Sequence, residues 1–165
     1  MYHLYDMEHP TLTAREMADR LACDSSQAQR NLAMRRVQHW TAEELIDPID
    51  RYMGRGTVRR YPRRALLDGA VLWEMSERNM SVQQMRFAWA SIGFQQEPDT
   101  SPSPYEVALK GQRRVLLLLD LSNSQGARAL IDPRSSTIPG DWPLGLWIDL
   151  TAAFVRLRTY FADWL

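Results

Sequence analysis

Apolar residues recur at helical spacing near the start of the chain. Met17, Ala18 and Leu21 share one face, and Thr11 or Thr13 stands where it can cap the helix that carries them. The His9-Pro10 step disfavours helix, so residues 1–12 read as an irregular lead-in. Asp24-Ser25-Ser26 either ends this first helix or caps a second, which reaches about Trp40. Val37, Trp40 and Leu45 read as core, and Ala42-Glu43-Glu44-Leu45 as a short helical turn leading to Pro48. From Gly54 to Tyr61 the pattern becomes that of a β-hairpin, with Arg55-Gly56 near the tip and Thr57-Val58 in the return strand. Pro62 suits the first position of a helix, whose buried face is predicted to use Leu66, Leu67, Ala70, Val71 and Met75. Ser81 can cap a further helix with Val82, Met85, Ala88 and Trp89 on its apolar side.

The pattern then breaks. Residues 95–104 are polar and place Pro98, Pro102 and Pro104 close together, which reads as a linker between a domain at 1–94 and another at 105–165. Beyond it, Tyr105–Lys110 reads as a brief helix, and the unbroken apolar run Val115–Leu119 as a strand buried on both faces. Ala127–Ile131 and Leu146–Ile148 are two further strand candidates. The final helix, Thr151–Leu165, continues a stripe of Leu150, Phe154, Leu157, Phe161 and Trp164. That stripe is too short for a coiled coil, and it can pack on its own sheet. Val155 and Tyr160 widen it, however, and a domain of roughly 60 residues buries little surface by itself. Dimerisation through Phe154, Leu157, Phe161 and Trp164 is therefore expected. The expected fold class is α+β, with a helical N-terminal domain and a small C-terminal α/β segment of short sheet plus terminal helix.

Composition narrows this reading. With 165 residues the chain holds one ordinary domain or two small ones, and 45% apolar with 24% charged residues is the balance of a globular protein. It has no apolar run long enough for a transmembrane helix, so no membrane partner is expected. Met1–Asp6 lacks a basic and an apolar signal region, so no secretory signal is expected. The single Cys23 excludes an internal disulfide and a multi-cysteine metal site, and a reducing, cytoplasmic setting fits. Formal net charge is zero, yet Arg51–Leu67 contains six arginines, at 51, 55, 59, 60, 63 and 64, and no acidic residue. Phosphate contact needs such a local basic surface. The excess of arginine over the single lysine, Lys110, carries less weight, because GC-rich coding bias produces it too.

Three stretches, within Leu12 to Met85, then resemble the MerR family of transcription regulators. They are Val37-Gln38-His39-Trp40-Thr41-Ala42-Glu43-Glu44-Leu45-Ile46-Asp47-Pro48, the Gly54–Arg60 hairpin with Tyr61, and Leu66 with Met80-Ser81-Val82-Gln83-Gln84-Met85. Gln38, Thr41 and Glu44 stand where the family usually has Arg, Glu and Gly. Glu16–Leu21 is similar to the first family helix and Val37 with Trp40 to the second, with about nine residues more between them than the family has. Either Ser25–Asn31 extends the first helix, with a turn at Arg30-Asn31-Leu32-Ala33, or the second gains two turns at its front.

The resemblance implies a winged helix-turn-helix in a bacterial, sequence-specific regulator of transcription. It implies a homodimer on duplex DNA, a candidate contact with RNA polymerase, and tuning by an effector through the C-terminal part. Many relatives carry a long antiparallel helix where this chain has its proline-rich linker. Under both helix alternatives Arg35, Arg36, Gln38 and His39 lie on or near the reading helix, where Arg can bridge guanine and Gln can pair with adenine, and Arg30 is a further DNA-binding candidate. Arg55, Thr57, Arg59, Arg60, Tyr61 and Arg63 would grip phosphates or a minor groove from the wing. Each of these arginines can equally solvate a surface or hold an ion pair.

Two other readings stay open. An architectural, excisionase-like protein would bend DNA with the same basic surface. A metal-dependent nuclease would use Asp120, Asp132 and Asp149, each following an apolar pair at a strand end, to hold a divalent cation. The same aspartates have ordinary local work: Asp120 and Asp132 precede turns, and Asp149 can cap the last helix. No glycine-rich phosphate loop is present, and His3, His9 and His39 offer no Ser/His pair. A non-enzyme without cofactor or resident metal is expected.

Overall fold

Thr13 stands where a strand becomes a helix. β1 (Leu12–Thr13) leads straight into α1 (Ala14–Leu21). The Thr13 hydroxyl accepts from the Glu16 N–H at 3.2 Å, and the Glu16 carboxylate accepts from the Thr13 N–H at 2.7 Å. This reciprocal cap satisfies two backbone donors and fixes where α1 starts. Met17, Ala18 and Leu21 are buried, as their spacing predicts. The computed structural model describes residues 11–22, 26–49, 58–94, 103–120, 126–131 and 145–164.

The second helix, α2 (Gln27–Ala42), starts after Ser26, whose hydroxyl accepts from the Gln29 N–H at 3.3 Å. Of the two alternatives, the added turns at the front of this helix are therefore the ones found. Arg30–Ala33 is helix, not turn. α1 packs against α2, and Ala33, Val37, Trp40 and Thr41 form the buried face of α2. Its end is a left-handed cap: Glu44 adopts φ 56°, while the N–H groups of Leu45 and Glu44 bond Trp40 O at 2.8 Å and Thr41 O at 3.2 Å. These bonds satisfy two terminal carbonyls and turn Leu45 and Ile46 into the core.

β2 (Arg60–Tyr61) pairs antiparallel with β1, setting Leu12 opposite Tyr61 and Thr13 opposite Arg60. On its other side the Ile49 N–H donates to Arg60 O at 2.8 Å. The expected hairpin tip at Arg55-Gly56 lies outside the described residues. α3 (Ala65–Glu77) begins three residues after Pro62, because a turn over residues 62–64 comes first, with Pro62 O accepting from the Ala65 N–H at 2.9 Å. It is buried on more than one side, including Leu66, Leu67, Ala70, Val71 and Met75. A Cβ at Gly69 would lie 2.7 Å from Met17 Cε and 2.8 Å from Leu21 Cδ1, so the glycine lets α3 approach α1 closely. Asn79, at φ 57°, ends α3 with a second left-handed cap.

Two units emerge, residues 1–73 and 74–165, and the division falls inside α3. It does not coincide with the composition break at 95–104. The reason is α4 (Val82–Phe94), capped by Ser81 with Gln84, which packs against a strand of the second unit.

In that second unit, α5 (Pro104–Lys110) is capped by Ser103 with Glu106 and ends at Gly111, φ 67°. β3 (Val115–Asp120), β4 (Gly126–Ile131) and β5 (Gly145–Asp149) form an antiparallel sheet in the order β4-β3-β5. Every residue of Val115–Leu119 is buried, as expected for a strand covered on both faces. α6 (Leu150–Phe154) follows, and residues 155–164 tighten into a 3-10 segment with a break at Phe161, so the single terminal helix is not found.

The apolar stripe is already covered within this unit. Leu150, Phe154, Leu157 and Phe161 are each 0% exposed, with Phe154 edge-on to Tyr105 at 5.3 Å between ring centroids. The expected dimer face of Phe154, Leu157 and Phe161 is therefore interior surface. The side chain of Trp164 lies outside the described residues. Among the described residues, no helix is long and apolar enough to cross a membrane.

Candidate nucleic-acid interface

α2 carries three arginines and a histidine over Gln27–Ala42 and no carboxylate. At 100° per residue its buried positions occupy one side, and Gln27, Ala28, Asn31, Arg35, Gln38 and Ala42 the opposite one. All six are exposed, and His39 is exposed beside them. Arg35, Gln38 and His39 are thus brought together on one open, cationic face. Arg30 is exposed too, but points from another side of the helix.

Arg36 is turned elsewhere. Its guanidinium carbon lies 4.2 Å from the centroid of the Trp73 ring, and the residue is only partly exposed. A cation over an indole face is held by the ring quadrupole, so Arg36 ties α2 to α3 rather than joining the open face. No sequence signal links residues 36 and 73, because only the packing of the two helices brings them together.

Arg59 and Arg60 are exposed in the segment leading through β2. Arg63 is half-buried and already engaged by a partner. Tyr61 is a correction. Its ring is 1% exposed, and its hydroxyl lies 2.9 Å from Thr41 Oγ1, itself in a residue only 8% exposed. The Thr41 hydroxyl spends its one proton on Val37 O at 2.8 Å, so the Tyr61 O–H is the donor in that pair. Tyr61 pins β2 to the end of α2 from inside and has no surface for DNA. Arg55 and Thr57 lie outside the described residues.

Electrostatics around the root of β2 follow the backbone pairing. The Glu16 carboxyl is held below the ordinary range first by the Thr13 N–H, then by the Thr13 hydroxyl, with smaller contributions from Arg20 and Arg60. Glu16 thereby offsets part of the local positive charge at Arg60.

Asp120 and Asp149 do not converge. In the register of β3 and β5, Asp149 lies opposite Leu116 and Asp120 opposite Gly145, so the two sit at opposite ends of the sheet. Four residues of strand separate those ends, roughly 13 Å. Asp149 also has its own work, accepting from the Ala152 N–H at 3.0 Å and pairing with Arg114 at 2.7 Å. Asp132 lies outside the described residues. Antiparallel pairing, which like-sounding strand ends cannot reveal, places residues 120 and 149 at opposite ends of the β3–β5 pair.

No protein-family model matches this chain, and no curated protein matches it in sequence.

Proposed function

We propose that the first unit is a winged helix-turn-helix that binds duplex DNA, and that the chain is a transcription regulator of the MerR type. The observation that carries this reading is the open face of α2, where Arg35, Gln38 and His39 stand together on a helix with no carboxylate. An acid-free helix face of this kind lowers the electrostatic cost of approaching phosphates and offers donors to the duplex. Exposed Arg59 and Arg60 add a second cationic strip, held to α1 through the β1–β2 pair. The short connection from α1 to α2 and the Ile49–Arg60 hydrogen bond suit a wing that follows a reading helix.

The test is retention of fragmented duplex DNA by the full chain at near-physiological salt, followed by sequencing. An enriched motif supports a sequence reader, and a two-fold repeat within it reports a dimer. Retention without a motif favours the architectural binder. Replacing Arg59 and Arg60 by Ala should weaken binding to all duplexes and reduce the slope of log affinity against log salt by roughly 0.9 for each phosphate no longer neutralised. Unchanged affinity at two salt concentrations removes these arginines from the interface, and no retention overturns the reading.

A further inference from the structure

The two halves of α2 differ in how they meet the rest of the first unit. All four buried residues of the helix lie from Ala33 onward. Ahead of them Gln27, Ala28, Arg30, Asn31 and Leu32 are exposed and Gln29 is half-buried, so the first two turns are the more open part of the helix. A straight helix cannot keep both ends on the floor of a groove about 12 Å wide. The more open end can enter the groove, whereas Gln38 and His39 belong to the last turns, which are anchored by Trp40 and Thr41.

Resting on the DNA-binding reading above, we infer that Asn31, braced by Gln27, is the residue that specifies a base, an adenine in the major groove, with Arg35 one turn behind it. The Gln27 Nε2 donates to Asn31 Oδ1 at 2.9 Å, one helical turn apart on the exposed face. That bond uses one lone pair of Oδ1 and leaves a second, together with both Nδ2 protons. A carboxamide with one acceptor and one donor free is the group that pairs with adenine N6 and N7. The brace also holds the amide in one orientation, which lowers the ordering cost of the contact. Asn31 and Arg35 are separated by roughly 6 Å along the axis, close to two base-pair steps. Gln38 and His39 then meet backbone instead of bases.

The experiment selects duplexes with a randomised core using the full chain, and repeats the selection with Asn31→Ala, Gln27→Ala and Gln38→Ala. Alanine is a better helix former than asparagine, so Asn31→Ala keeps α2 intact. The expected result is a single position at which the wild-type chain prefers adenine by roughly five- to 150-fold, the range for one bidentate contact. Asn31→Ala should bring that preference near unity without changing the salt dependence. Gln27→Ala should weaken the same position only, and Gln38→Ala should lower affinity for all duplexes alike while the base preferences stay as they are. A motif unchanged in Asn31→Ala, or erased by Gln38→Ala, overturns this assignment while leaving DNA binding in place. A wild-type chain that retains no duplex overturns both.

Discussion

Replacing Glu44 by Gly should stabilise the first unit by about 1 kcal/mol although it deletes a side chain. Glu44 holds the left-handed position of the α2 cap at φ 56°, where a Cβ crowds the following carbonyl. For a residue other than glycine that conformation costs roughly 1–2 kcal/mol. Glycine meets no such crowding, but its freedom in the unfolded chain takes back roughly 0.5–1 kcal/mol. The carboxylate also sits just beyond the C-terminal end of a helix, where negative charge is unfavourable by roughly 0.3–1 kcal/mol. Glu44 is exposed, so screening places this last contribution at the low end and the deleted side chain removes little packing. The sum stays positive under each combination. Asn79 at φ 57° supplies an internal reference, because asparagine tolerates the left-handed region and Asn79→Gly should gain only a few tenths of a kcal/mol. Equilibrium urea denaturation of the full chain and the two variants, with midpoint and slope fitted together, measures both. If Glu44→Gly is neutral or destabilising, strain at the α2 cap is not the quantity these angles imply.

Three further outcomes follow from the same geometry. Thr41→Val leaves the buried Tyr61 hydroxyl without its acceptor and should cost roughly 1–3 kcal/mol, whereas the Thr41→Val/Tyr61→Phe double variant should cost less than the two single changes added. Additive costs in urea denaturation would show that the pair is not coupled. Gly111→Ala should destabilise the second unit by up to roughly 1 kcal/mol, the roughly 1–2 kcal/mol of a left-handed alanine less the freedom glycine has in the unfolded chain, and the Arg158 guanidinium must move aside for the Cβ. A melting temperature equal to that of the parent chain would refute this. Glu16, whose folded pKa is lowered, contributes its capping bonds in full above the ordinary glutamate range and loses them as pH falls through the lowered value. Stability measured from neutral to strongly acidic pH should show a step in that window that Glu16→Gln lacks, and identical profiles would sink the assignment.

What the sequence made legible is what local chemistry decides. Thr13 and Ser81 announce helix starts because a cap needs only a hydroxyl and a partner three residues on. Val115–Leu119 announces a covered strand because five consecutive apolar residues cannot share one face. The start of α2 was legible only as one of two alternatives, since a cap cluster at 24–26 could end the first helix or begin the second, and Ser26 begins the second. Hydrophobic periodicity records burial, and Gln27–Leu32 holds no fully buried residue, so it leaves no apolar period to decide between them. The same absence left Asn31 outside the α2 candidates that the resemblance supplied, which were Arg30, Arg35, Arg36, Gln38 and His39. Tyr61 and the Phe154–Phe161 stripe failed in the other direction. An aromatic beside arginines reads like a contact residue, and a heptad-like stripe reads like an interface, until tertiary packing shows Thr41 against the one and Tyr105 against the other. Residue type and spacing specify what a side chain can do, whereas only the partner placed opposite it decides whether that capacity faces the core or a ligand. For this chain the test therefore falls on the exposed residues of α2, chosen by the fold and not by their resemblance to a motif.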